Sequence, residues 1–92
     1  MIASFADAET EKVFRAEVAR RLPPDIQRTA RRKLLQLRAV TRLADLAVPP
    51  GNRLEALRGG RAGQHSIRIN DQWRICFRWD SGAHAVEIVD YH

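Results

Sequence analysis

Two short runs in the second half of the chain alternate strictly. Ser66-Ile-Arg-Ile-Asn70 and Trp73-Arg-Ile-Cys-Phe-Arg-Trp79 put Ile67, Ile69, Trp73, Ile75, Phe77 and Trp79 on one parity. Ser66, Arg68, Asn70, Arg74, Cys76 and Arg78 fall on the other. A repeat of two is the side-chain period of a β-strand, so each run predicts a strand with one apolar and one polar face. A short turn separates the runs, and Asp80-Ser81-Gly82 leads into a further apolar stretch, Ala83-His-Ala-Val-Glu-Ile-Val89. The polar parity is mostly arginine, and neither run contains an acidic residue. A twisted sheet studded with guanidinium groups suits a phosphodiester backbone.

The residues before this meander read as helices. Residues 1–5 are a short apolar start, expected to form an edge strand. Asp7 is placed to cap a helix, with Glu9 and Glu11 at its positive end. Phe14, Val18 and Leu22 recur at i, i+4 and i+8, which predicts one buried stripe on a helix ended by Pro23-Pro24. Pro24 and Asp25 suit the start of a second helix, with Ile26, Ala30, Leu34 and Leu37 as its buried stripe. Arg28, Arg31, Arg32 and Lys33 carry much of its polar surface, which reads either as a nucleic-acid contact or as a solvated face. Residues 41–52 form a connector with one helical turn around Leu43 to Leu46, closed by Pro49-Pro50-Gly51. Two helices followed by a strand meander predict an α+β fold, the helices packed on one face of a mainly antiparallel twisted sheet.

At 92 residues the chain is expected to be a single domain spanning 1–92, with one modest core. No apolar run approaches the ~18 residues of a membrane span, and the N-terminus lacks the apolar core of a signal peptide. A cytoplasmic location is the expectation. Cys76 has no second cysteine to pair with and reads as a buried structural thiol. Of sixteen basic residues fourteen are arginine, and the net charge is +5, which suggests a polyanionic partner. The three histidines and the cysteine show no tight ligand spacing, so neither a metal site nor a cofactor is expected.

Cleavage of RNA without a metal needs a base for the 2′-hydroxyl, cations for the phosphorane, and an acid for the departing 5′-oxygen. Glu55, in the first strand of the meander, is a candidate base. Arg58, Arg61, Arg68, Arg74 and Arg78 are candidate cations, and Asp90, Tyr91 and His92 close the last strand. Histidine titrates near neutral pH, and tyrosine stacks on bases. Each has a plainer reading: Glu55 as a cross-sheet ion-pair partner, His92 as a loose terminus, His65 and His84 as surface strand residues. Trp73 and Trp79 share parity with Ile75 and Phe77 and read as core. Strict alternation also puts Asp90 and His92 on one face and Tyr91 on the other.

A resemblance narrows these alternatives. Asn52-Arg-Leu-Glu-Ala-Leu-Arg58, Gly63-Gln-His-Ser-Ile-Arg-Ile-Asn70, Gln72-Trp-Arg-Ile-Cys-Phe-Arg78 and Val89-Asp-Tyr-His92 are similar to the HigB toxins of the RelE/ParE superfamily. Ser4-Phe5, the segment Arg32 to Leu34 and Pro49-Pro50-Gly51-Asn52 extend the likeness over essentially the whole chain. The resemblance implies a RelE-like fold and a ribosome-dependent mRNA endoribonuclease that cuts the A-site codon without a metal. It implies a helix-turn-helix, HigA-like antitoxin as partner, with operator DNA bound through the toxin–antitoxin complex. Arg58 and Arg74 match the family's basic active-site positions, and Asp90, Tyr91 and His92 its terminal functional residues. At Glu55 some members carry histidine, and Gly59-Gly60-Arg61 departs from the acidic residue usual in that loop. Arg61, Arg68 and Arg78 are expected to contact RNA. The alternative is a non-catalytic, ParE-like inhibitor or nucleic-acid-binding module that acts with its antitoxin as a repressor.

Overall fold

A computed structural model of the chain describes residues 1–91. Two helices, α1 (Ala8–Phe14) and α2 (Pro24–Ala39), precede strands β1 (Glu55–Ala56), β2 (Gln64–Arg68), β3 (Trp73–Trp79) and β4 (Ala83–Asp90). The strands form one antiparallel sheet in the order β1-β2-β3-β4, with the helices against one face. This is the expected α+β arrangement. Three short 3₁₀ turns, Leu43–Ala47, Pro50–Asn52 and Gly59–Arg61, fill the connections.

The apolar parity of β2 and β3 faces the helices. Ile67, Ile75 and Phe77 are buried against Ala30, Leu34 and Leu37 of α2, with Trp73 and Trp79 packed at the margin of the same core. Each large apolar side chain so buried contributes roughly 1.5–3 kcal/mol. The α2 stripe is therefore the one its spacing predicts. His65 departs from its reading as a surface residue: it pairs with Phe77 across the sheet and stacks on that ring at 6.4 Å.

The first helix is shorter than its apolar spacing suggests. It stops at Phe14, and Val18, predicted inside, is 73% exposed while Ala19 is buried. The stop is a backbone motif. Ala16 adopts φ 59°, its N–H bonds the Val13 carbonyl at 3.1 Å, and the Glu17 N–H reaches back to Lys12 at 2.8 Å. This paired closure usually carries glycine at the left-handed position. Alanine there costs about 1 kcal/mol, and with no glycine present nothing in the local pattern marks the stop. The segment that follows is tied to α2 by Gln27, whose amide donates to the carbonyls of Ala19 and Leu22. The N-cap forms as predicted, Asp7 accepting from the Thr10 N–H at 2.7 Å.

The outer edge of β4 would offer unpaired backbone groups if left open. Residues 1–6 cover it as a parallel strap rather than a regular strand. Ala3 and Ala6 donate to the Ala83 and Val86 carbonyls, and Ala83 and Val86 donate to Met1 and Ser4. The strap stops where α1 begins, and there the buried Thr10 hydroxyl accepts from the Ile88 N–H at 2.9 Å. Between these contacts Ala85 sits in a bulge at φ 52°, its N–H donating to Ser4 Oγ at 2.9 Å.

Candidate functional site

The polar parity forms three rows across the sheet. Register places Arg68, Arg74 and Val89 in one row, Glu55, Ser66, Cys76 and Glu87 in the next, and Gln64, Arg78 and His84 in the third. The centre of the middle row is closed, while Glu55 at its β1 end is exposed. Ser66 and Cys76 are both fully buried. Burial pushes the Cys76 thiol above its ordinary pKa, and Glu87 and Glu55 push the same way against Arg61 and Arg74. This agrees with the reading of Cys76 as a structural thiol. Over this row Arg61 donates to Glu87 Oε1 through both terminal nitrogens at 3.3 Å and to Gln64 Oε1 at 3.0 Å.

At the first row the chain builds something different. Arg74 is half-buried, and its Nε donates to Ser66 Oγ at 2.7 Å. Its Nη2 donates to the Arg53 carbonyl, also at 2.7 Å. Arg53 turns that carbonyl inward from a left-handed backbone, φ 46°. The Tyr91 ring lies over the guanidinium, 5.9 Å from Cζ to the ring centroid. All three anchors are neutral, so they fix the fork without cancelling its charge. Among the described residues Arg74 makes no ion pair. Arg68, beside it on β2, is paired with Asp71, but that carboxylate is 98% exposed and screened by water.

Tyr91 stands between two shallow concavities. One, of about 270 Å³, is lined by Arg53, Arg68, Asn70, Asp71, Arg74 and Tyr91. The other, of about 370 Å³, is lined by Glu55, Ala56, Leu57, Arg58 and Tyr91. Glu55 and Arg58 are exposed and, among the described residues, enter no ion pair; the plainer reading of Glu55 as a cross-sheet salt-bridge partner is therefore not realised.

The end of β4 is held by the β2–β3 turn. Asn70 Oδ1 accepts from the Gln72 and Trp73 N–H groups and shapes that turn. Gln72 then accepts from the Tyr91 N–H at 2.7 Å, and its side chain donates to Asp90 Oδ2 at 3.0 Å. Asp90 pairs with Trp73 and shares its parity, so Tyr91 falls on the arginine face and Asp90 does not. His92 lies outside the described residues.

The structure thus gathers Glu55, Arg58, Arg68, Arg74 and Tyr91. Asp90 abuts the group through Gln72, and Arg61 is engaged with Glu87. Arg78 is exposed at the far end of β3, four residues and roughly 13 Å from Arg74 at ~3.3 Å per residue. Sequence reasoning passed over Ser66, Arg53 and Gln72, which position Arg74 and Tyr91. Their roles depend on strand register and on one left-handed residue, which no local pattern marks.

Comparison with known proteins agrees with this architecture. A family profile described as the RelE-like toxin of type II toxin–antitoxin system HigB matches residues 3–92. The chain is 38% identical to Toxin HigB-1 of Vibrio cholerae over 93 aligned residues, covering 100% of this chain and 98% of that protein. An uncharacterized protein of Haemophilus influenzae is 31% identical over 61 residues, 66% of this chain and 60% of its own length. Two helices on a four-stranded antiparallel sheet are the RelE-like toxin arrangement. The chain belongs to the HigB-like toxin family of type II toxin–antitoxin systems, and an antitoxin is its counterpart. Among the described residues no helix is long and apolar enough to cross a membrane.

Proposed function

We propose that this toxin is a metal-independent endoribonuclease that cuts mRNA in the ribosomal A site. The observation that carries the reading is Arg74, a guanidinium oriented by three neutral groups beside an open concavity, with Glu55 and Arg58 on the other side of Tyr91. In the proposed reaction a base takes the 2′-hydroxyl proton and O2′ bonds to the adjacent phosphorus. The P–O5′ bond breaks, leaving a 2′,3′-cyclic phosphate, and an acid delivers a proton to the departing O5′. Arg74 and Arg58 stabilise the charge that grows on the phosphorane oxygens. Glu55 is the base and His92 the acid, with His92 also a rival base; Tyr91 stacks on or orients a nucleobase. Asp90, bonded to Gln72, positions the strand end rather than transferring protons.

The site is shallow and open, and its proton-transfer groups come from separate elements. Ribosomal RNA completes it by holding the codon, which is why naked mRNA is expected to survive toxin concentrations that cut translated mRNA. The partner is a helix-turn-helix, HigA-like antitoxin, and the complex binds operator DNA; the location is cytoplasmic. Primer extension on an in vitro translation reaction tests the activity. The intact chain should produce cuts within codons, and a variant lacking residues 90–92 should produce none. Rapid metal-free digestion of naked RNA at the same concentration would overturn ribosome dependence.

A further inference from the structure

The basic run of α2 is not absorbed by the site around Arg74. It borders a separate concavity of about 630 Å³ between α2, the Pro50–Asn52 turn and the end of β2. Arg32, Lys33 and Arg68 reach it, with Gln36 and Asn52 as neutral polar lining, and none of its lining residues is acidic. Lys33 is fixed there: its Nζ donates to the Arg68 carbonyl at 2.6 Å. An ammonium has three donors, so two remain for a ligand. Arg68 also lines the concavity beside Tyr91, which makes one basic track from α2 to the proposed cleavage site.

We propose that this groove is a second phosphate subsite, which grips an RNA phosphodiester away from the one that is cut. The inference rests on the RNA-directed function proposed for this toxin and adds to it the path of the bound strand. Arg32, Lys33 and Arg68 meet here without a lining carboxylate. Asp71, the partner of Arg68, lies outside the groove and is almost fully exposed, so it offsets little of their mutual repulsion. Burial lowers the Lys33 pKa, and Arg32, Arg68 and Arg74 lower it further. A phosphate oxygen placed among these heads supplies the missing negative charge and accepts from a preset ammonium. Arg28, on the same helix but outside the lining, gains nothing from such a ligand.

The test measures binding of the full-length toxin to ribosomes programmed with an mRNA whose A-site codon is 2′-O-methylated, so that no cut occurs. Arg32→Glu and Lys33→Met should weaken binding and flatten its salt dependence, by about 0.7 to 0.9 in log–log slope for each phosphate no longer neutralised. Arg28→Glu makes the same charge change as Arg32→Glu off the groove and should move the slope much less. Lys33→Arg should restore most of the affinity that Lys33→Met removes, and thermal melts of each variant exclude misfolding as the cause. A deficit that persists on ribosomes without mRNA assigns the phosphate to ribosomal RNA, and one that appears only with mRNA assigns it to the message; both support the subsite. Parental affinity and slope in Arg32→Glu and Lys33→Met would overturn it, as would an equal loss in Arg28→Glu. So would loss of antitoxin binding with ribosome binding intact, which would make the groove a protein contact. If the intact chain binds through the groove yet never cuts unmodified mRNA, the endoribonuclease reading fails and the subsite stands.

Discussion

Arg74 projects from the polar face of the sheet and Arg61 reaches over the same face from the Gly59–Arg61 turn, yet their surroundings differ. Arg61 is held by Glu87, which carries a full negative charge. Arg74 is held by a hydroxyl, a backbone carbonyl and an aromatic ring, which carry none. Both side chains are oriented, but only Arg74 keeps its field available to a ligand. An arginine meant to meet a developing phosphorane must be fixed before the reaction and uncompensated until it. Neutral anchoring is thus a better mark of a working guanidinium than exposure. By that criterion the Arg74 end of the face suits the chemistry proposed above, and the Arg61 end suits cohesion.

The widest separation between the two ends should appear in proton transfer. Glu55→Gln and His92→Gln are each expected to slow single-turnover cleavage on programmed ribosomes by about 100- to 10,000-fold with little change in binding. Parental rates in both variants would leave substrate positioning to carry the reaction. Next, Arg74→Ala should cost about 100- to 1,000-fold in the same assay, as loss of a charge-stabilising donor does. Arg61→Ala should lose far less, and equal losses would erase the difference between the two ends. Ser66→Ala removes the Nε acceptor while leaving the charge. We expect a slowing on the order of tenfold, matching the ~1.5 kcal/mol lower bound for a hydrogen bond to a charged group.

Cys76 lies in the row next to Arg74 and beneath the Arg61–Glu87 pair, and it feels both arginines. Its folded pKa is raised, first by burial. The folded state therefore holds the thiol proton more tightly than the unfolded chain, and this stability is complete below the ordinary thiol range and lost as pH climbs through and above it. Denaturant titrations over alkaline pH should show that loss, and Glu87→Gln should shrink it by removing one of the groups that raises the pKa. The smallest effect concerns the backbone. Ala16→Gly should raise the thermal midpoint by the equivalent of about 1 kcal/mol or less, because glycine takes φ 59° without strain.

The strands were legible because period-two patterning states both the element and its orientation. Ile67, Ile75 and Phe77 are in the core for the reason that made them visible, and α2 was legible from its prolines and its stripe. The helix end at Phe14 was not, because backbone bonds around a left-handed alanine stop it and apolar spacing continues past the stop. At the site, residue types and resemblance pointed to Glu55, Arg58, Arg74 and Tyr91, which the fold brings around two adjoining concavities. The same reasoning grouped Arg61 with them by nearness in sequence and Arg78 by its place on a successive strand, and neither tells which side chains meet. Glu87 lies 26 residues beyond Arg61, and it takes the pairing of β2 with β3 and of β3 with β4 to bring it beside the turn that carries Arg61.

The strap over β4 joins residues far apart in the chain, Ser4 and Ala85 being separated by 81 positions. Such pairings are slow to form, because a long loop must close before any contact rewards it. During synthesis the first six residues have no edge to join until β4 has left the ribosome, and Tyr91 leaves later still. The N-terminal segment therefore waits on the last strand, and the outer edge of β4 stays uncovered until the two segments have met.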